Sequence, residues 1–225
     1  MLRDTSLINR SRRRSGFTLL ELLIVIAIIG LLISFGIGFS GRSTELGSAQ
    51  RLVGTLLEQT RIQASTNAAR ARLLVYDDPS DAAKYHRFLR VVVEKEEDNW
   101  VPADNDGVYL PKGVFIVPDS ESFSTVTTSS KQKQWDPDAY TVWTGRFQWA
   151  NPEPKTPKEK AEGAKTYAYI EYTSRGTTGS YKIAFAQASH NLSDETFHFD
   201  NPQRVVGLRL RPYGSWQILP SVDDF

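Results

Sequence analysis

An apolar run near the N-terminus constrains this chain more than any other feature. From Leu22 to Phe39, eighteen consecutive residues carry no charge, and Ser34 is the only polar side chain among them. That length meets the threshold for a membrane-crossing helix, given a rise of about 1.5 Å per residue and a hydrocarbon core of roughly 30 Å. A helix buried in a globular core is normally shorter and polar on one side. Arg3, Arg10, Arg12, Arg13 and Arg14 precede the run against one acid, Asp4. By the positive-inside rule the N-terminus then stays in the cytoplasm and everything after Phe39 lies outside. A secretory signal peptide has a shorter apolar core, closed by a small-residue cleavage pattern that does not follow here. One acid, Glu21, heads the run, where a carboxylate reaches the interface more cheaply than at a helix centre.

The residues around that acid carry a resemblance. Ser15-Gly16-Phe17-Thr18-Leu19-Leu20-Glu21, continuing as LLIVIAIIG, resembles the cleavage and methylation motif of type IV prepilins and type II secretion pseudopilins. The family pattern is a basic leader ending in glycine, an aromatic first mature residue, glutamate as the fifth, and a long apolar run. Gly16, Phe17 and Glu21 occupy those positions. The resemblance implies that residues 1–16 are a leader, that a prepilin peptidase cuts between Gly16 and Phe17, and that the new Phe17 amine is methylated. It also implies a single-pass protein of the bacterial inner membrane, touching lipid, other pseudopilins or pilins, and an inner-membrane assembly platform. A positive amine at the start of an apolar helix needs a counter-charge. Glu21 of the same or a neighbouring subunit supplies one, and in the family that pairing is held to set the register of filament assembly.

Beyond the run no proline occurs before Pro79, and Leu46, Ala49, Val53, Leu56, Thr60, Ala64 and Ala68 recur every three or four residues, with Arg51, Gln59, Arg61 and Gln63 off the stripe. The periodicity predicts that the helix continues to about Ala68 as an amphipathic element. Gly36, Gly38 and Gly41 fall between the apolar and polar halves, each weakening a helix by about 1 kcal/mol relative to alanine, and predict a flexible or locally melted joint. The chain then divides into a leader (1–16), a transmembrane helix half (17–39), an amphipathic helix half (40–71) and a β-rich periplasmic domain (72–225). Within that domain, residues 72–76, 87–93, 114–117, 140–147, 167–172, 181–186, 205–210 and 216–219 are rich in β-branched and aromatic residues and read as strands between turn signals. One long helix followed by eight short strands predicts an α+β fold, with antiparallel sheets packed on the amphipathic half. About 150 residues suffice for one core.

A second resemblance covers more of the chain. AQRLVGTLLEQTRIQASTNAARARLLVY, then Tyr172-x-x-x-Gly176 before a strand, then VVGLRLRPYGSWQIL, resemble the H-type minor pseudopilin (GspH) and its pilus relative FimT. It implies a minor pseudopilin of a type II secretion system, a structural subunit of a periplasmic pseudopilus, with a minor type IV pilin as the alternative. The segment from Pro118 to Lys165, Ser/Thr-rich and Lys/Pro-rich in turn, departs from that pattern and reads as extended loops around one strand.

Signals for chemistry are sparse. With no cysteine, disulfides, thiolate zinc sites and cysteine nucleophiles are excluded, while the redox compartment stays open. There is no phosphate-binding glycine loop, no H-E-x-x-H pair and no G-x-S-x-G elbow. His86, His190 and His198 have no metal-ligand spacing and read as surface or strand histidines. Asp104-Asn105-Asp106-Gly107 looks like part of a calcium loop but lacks the closing glutamate, and reads as a hairpin turn. No catalytic residue, metal site or cofactor is therefore expected. Near the C-terminus Arg204, Arg209 and Arg211 gather beside Tyr213 and Trp216, a combination that also serves single-stranded nucleic acid. Against DNA, residues 1–16 hold five of the 27 basic and one of the 26 acidic residues, which leaves 22 basic against 25 acidic in the rest. A net negative domain does not draw phosphate, and Asp223 and Asp224 sit close to the arginines.

Overall fold

The computed structural model describes residues 19–103, 106–117, 143–152, 163–191, 196–201, 204–221 and 224–225; in the helix it describes side chains at 19, 22–26, 28 and from 45 onward, and in the strands at all but 191, 196 and 198. One helix, α1, runs Leu19–Asn67. The chain separates into two compact units, Met1–Gly41 and Arg42–Phe225.

In the first unit, Leu19, Leu22, Leu23, Ile24, Val25, Ile26 and Ile28 are all exposed, so apolar side chains point outward around the helix rather than along one stripe. Among the residues with described side chains, no helical stretch is long and apolar enough to cross a membrane. The backbone is helical through Gly36, Gly38 and Gly41, where those glycines predict a melted joint.

In the second unit, Leu46, Ala49, Val53, Leu56, Leu57, Thr60 and Ala64 of α1 are buried, which is the predicted stripe with Leu57 added. Ala68 is exposed instead, because α1 has ended. Its backbone turns left-handed (φ 49°), and the Ala69 N–H donates to the Ala64 carbonyl at 3.2 Å, a six-to-one closure of the last turn. The amphipathic half therefore stops at Asn67, and Ala71, placed in it by the sequence, already pairs as a strand.

Eleven strands follow among the described residues: β1 (Ala71–Tyr76), β2 (Phe88–Glu96), β3 (Asn99–Pro102), β4 (Val108–Tyr109), β5 (Val114–Ile116), β6 (Gly145–Trp149), β7 (Lys165–Tyr172), β8 (Tyr181–Asn191), β9 (Thr196–Phe199), β10 (Val206–Leu210) and β11 (Trp216–Leu219). The first sheet has the order β3-β2-β1-β7-β6, with β4 also on β2; the second has the order β11-β10-β8-β5, with β9 on β8. Every described pairing is antiparallel. The strand expected at 140–147 is β6, five residues later at its start, and 140–142 lie outside the described residues. β3, β4 and β9 were not expected. Most of the 118–165 loops also lies outside the described residues.

Both sheets close on α1. Leu73, Val75, Leu89, Val91, Ile170 and Tyr172 of the first sheet meet Val114, Ile116, Ile183, Phe185, Leu208 and Leu210 of the second and the helix stripe in one core. Alternation along β1 sends Ala71, Leu73 and Val75 to this inner face, and Arg72, Leu74 and Tyr76 to the outer one. Two smaller clusters cover the outer faces: Leu74, Tyr76, Phe88, Val92, Trp100, Trp149 and Tyr167 on the first sheet, and Phe115, Val117, Ala184, Ala186, Ala188, Phe199 and Val205 on the second.

Candidate functional site

The motif residues nearest the N-terminus are only partly in view. Gly16 and Phe17 lie outside the described residues, and Glu21 is in the first turn of α1 with its side chain outside them. The structure does show what seats the C-terminal part of α1 on the β domain.

That seat is built from polar and small residues. Gln50, buried on α1, donates from Nε2 to the Gly207 carbonyl at 2.9 Å and to the Leu219 carbonyl at 3.1 Å, tying the helix to β10 and β11 together. Gln187 of β8 donates to the Glu45 carboxylate at 2.9 Å. One turn beyond Gln50 comes Gly54, where a Cβ would lie 2.7 Å from Trp216 Cζ2. A glycine inside a helix costs about 1 kcal/mol relative to alanine. Here it lets the indole lie directly on the helix backbone. Two turns further, Arg61 is gripped by the turns at Gly176 and Gly214, whose φ values of 71° and 79° are open to glycine. A Cβ at Gly176 would come within 3.2 Å of Arg61 Cγ, and one at Gly214 within 3.0 Å of Arg61 Cδ. The Thr178 N–H donates to the Pro212 carbonyl at 3.0 Å and binds one turn to the other. The Tyr172-x-x-x-Gly176 and Pro212-Tyr213-Gly214 signals are thus parts of a clamp on the helix.

Gln50, Gly54 and Arg61 were not picked out from the sequence as contact residues. The available signal was a glycine inside an apolar helical stripe, paired with a late tryptophan.

The arginines at the C-terminus are partly engaged by the chain itself. Arg209 donates from Nη2 to the Asp224 carbonyl at 2.8 Å, and Arg211 donates to Gln217 Oε1 at 3.0 Å. Asp224 also accepts from the Ser221 N–H and hydroxyl. Arg204 is exposed. The three are spread along β10 and its two ends rather than gathered around a groove.

His86 corrects the expectation of a surface or strand histidine. It is 0% exposed, lies in the turn-rich segment between β1 and β2, and has φ 51°. Its Nε2 is 2.8 Å from Asp77 Oδ1, and Arg146 of β6 donates from Nε to Asp77 Oδ2 at 2.5 Å. Burial pushes the Asp77 carboxyl up, but the hydrogen bonds and charges of His86 and Arg146 outweigh it and hold it below the ordinary carboxylate range. The His86 N–H donates to the Tyr76 carbonyl and its own carbonyl accepts from Ile116, so the residue fastens the first sheet to the second. His190 and His198 are in strands. Asp104 and Asn105 lie outside the described residues; the Asp106 carbonyl accepts from Arg90 at 2.7 Å, and Gly107 has φ 82°. Among the described residues no cluster of three or more His, Cys, Asp or Glu is placed to hold a metal ion.

The chain carries the prokaryotic N-terminal methylation motif, matched over residues 11–37. That motif marks structural subunits of the type IV pilin kind rather than enzymes. No curated protein matches the sequence. Among solved structures, the fold is similar to the minor pseudopilin EpsH from the type 2 secretion system of Vibrio cholerae, with 10% identity and a TM-score of 0.42, over 78% of this chain and 97% of that one.

Proposed function

We propose that this chain is a minor pseudopilin of a type II secretion system, a structural subunit that enters a short filament on the outer side of the bacterial inner membrane. The observation that carries the reading is the methylation motif over residues 11–37, which takes in all but the last two of the eighteen uncharged residues from Leu22 to Phe39. A prepilin peptidase removes residues 1–16, and the exposed Phe17 amine is methylated. The apolar helix then anchors the chain once in the lipid, N-terminus inward, until an assembly platform draws it among sibling subunits. Lateral movement out of lipid leaves the Phe17 amine in an apolar bundle, where Glu21 of a neighbour pairs with it. The segments around Tyr172 and Gly207 resemble the H-type pseudopilin and its pilus relative alike, and a minor pilin of a type IV pilus is the alternative. A nucleic-acid role is disfavoured by the internal partners of Arg209 and Arg211.

Intact mass and N-terminal sequencing of the protein from membranes, with and without the peptidase, test this reading. The expected product begins at N-methylated Phe17 only when the peptidase is present, and a chain still beginning at Met1 in its presence overturns the proposal. Glu21→Gln is expected to leave cleavage intact while excluding the subunit from filaments.

A further inference from the structure

The C-terminal turn of α1 and the β2–β3 hairpin enclose a cavity of about 480 Å³ that the seat of the helix does not use. The backbone builds it. Ala68 turns left-handed and ends the helix, β1 starts at Ala71, and the Glu94 N–H donates to the Arg70 carbonyl at 2.9 Å, which draws β2 against the last helical turn. The Ala103 N–H, donating to the Val91 carbonyl at 3.0 Å, closes the far side with the residue after β3. Small-molecule sites span about 300–1,000 Å³, so this one has room for one or two sugar-sized units.

Its walls are chemically mixed. Gln63 and Asn67, one turn apart on the same helix face, are joined: Asn67 donates from Nδ2 to the Gln63 carbonyl at 2.8 Å and to Gln63 Oε1 at 3.0 Å. That pairing leaves Gln63 Nε2 as a donor and Asn67 Oδ1 as an acceptor without partners among the described residues. Val93, Val101 and Ala103, all buried, supply apolar wall beside them.

Charge at the cavity is close to balanced. The Glu94 carboxylate is spent on Arg70, whose Nε donates at 2.7 Å, and on the Asp98 N–H at 3.2 Å. Lys95 is exposed and has no ion pair among the described residues, but it stands beside the C-terminal end of α1, whose partial negative charge offsets it. A free cation or anion therefore gains little here, whereas a neutral ligand with donors and acceptors of its own meets partners. Pro102 brings no N–H to the edge of the first sheet, which disfavours a peptide laid along β3 as a further strand.

We propose that this cavity binds an N-acetylated sugar. The acetamido group offers its amide to Gln63 and Asn67 and its methyl to Val93, Val101 and Ala103, while ring hydroxyls accept from Lys95. Binding there is independent of leader cleavage and of filament entry.

Saturation-transfer NMR of the full-length chain, in a detergent without a sugar headgroup, tests the proposal by titration with N,N′-diacetylchitobiose. The expected Kd is about 1 mM, with the largest saturation at the acetamido methyls. Cellobiose, which carries hydroxyls in place of the acetamido groups, is expected to bind at least about 10-fold more weakly. That comparison is made on the parent chain and stands whatever a variant does to folding. Gln63→Ala and Asn67→Ala should each weaken binding about 10-fold with an unchanged thermal midpoint, whereas Thr55→Ala, exposed elsewhere on α1, should leave it intact. Absence of saturation at about 10 mM, equal binding of the two disaccharides, or binding that survives both amide variants overturns the proposal. So does N-acetylalanine methylamide, a capped single residue, binding as tightly as the acetylated disaccharide with the same sensitivity, since the cavity is then a seat for peptide.

Discussion

The two faces of the first sheet solve the same burial problem with different chemistry. The inner face, under α1, presents Ala71, Leu73, Val75, Leu89, Val91 and Ile170, aliphatic side chains that interdigitate with a helix stripe of alanine, valine and leucine. The outer face has no helix over it among the described residues, and there the sheet grows its own cover. Arg72 places its guanidinium carbon 3.7 Å from the Trp100 ring centre, 4.0 Å from Tyr169 and 4.8 Å from Phe147, while its Nε donates to Glu171 at 2.7 Å. Arg90 lies 5.7 Å from Phe88 and 5.8 Å from Trp149, and the Trp149 indole N–H donates to the Trp100 carbonyl at 3.0 Å. Beneath this layer Leu74 and Val92 are fully buried. A guanidinium is flat, weakly hydrated and stacks on rings, so arginine seals apolar surface while keeping its charge satisfied. An inner face needs shape; an outer face needs side chains that are apolar below and wet above.

Neighbouring leucines give the largest contrast. Leu73→Ala, facing α1, is expected to cost about 4 kcal/mol because the walls of its cavity are held by three elements. Leu74→Ala, one residue along and equally buried, should cost about 2 to 3 kcal/mol because flexible arginine and aromatic side chains settle into the space. Thermal unfolding of the detergent-extracted chain measures both, and a larger loss at Leu74 would break the comparison. Next comes the stack itself. Arg72→Ala is expected to lose about 2 to 3 kcal/mol, and Arg72→Lys to recover less than half of it, since an ammonium does not stack flat on Trp100 and Tyr169 as the guanidinium does. Full recovery by lysine would show that charge alone holds the layer.

On the inner side, Gly54→Ala should cost about 2 kcal/mol by pushing the Trp216 ring away, although alanine is the better helix former. In a Trp216→Ala background the same change should become stabilising by about 1 kcal/mol. A cost that persists without the indole would place the constraint elsewhere. The smallest effect is at the sheet junction. Asp77, with its folded pKa below the unfolded value, contributes stability that is fully present above about pH 4 and is lost as pH falls through the folded value. Asp77→Asn should therefore lower stability by about 1 kcal/mol at pH 7, with the gap to the parent closing below pH 4. A gap independent of pH would remove the ionised carboxylate from the account.

The inner face was far more legible in the sequence than the outer. Apolar spacing placed Leu46, Ala49, Val53, Leu56, Thr60 and Ala64 on one buried stripe because helical burial imposes a period, and only Ala68 fell beyond the capped end. β1, β5, β10 and β11 were found to within one residue because β-branched runs bounded by glycine and proline leave few alternatives. β3, β4 and β9 were missed since short edge strands such as Asn99–Pro102 bury too little to pattern their composition. Arg72 and Arg90 read as solvent-facing in any alternation rule, and their burial depends on rings from β3, β6 and β7 that only tertiary structure brings together. His86 escaped for the same reason, being buried by two sheets that meet at its loop. For the candidate site, the sequence marked Gly176 and Gly214 as turns but not their object, Arg61.

The bond from Gln50 to the Leu219 carbonyl joins residues 169 positions apart. A ribosome making 5 to 20 residues per second needs on the order of 10–30 s to pass from one to the other. For that interval the buried stripe of α1 has been made but its seat has not, because β10, β11 and the Trp216 indole arrive last. The nascent chain therefore has β1 and β2 at hand to cover part of the stripe early, but the side of α1 at Gln50 and Gly54 stays uncovered through most of its synthesis, and any chain halted before Trp216 keeps that side open.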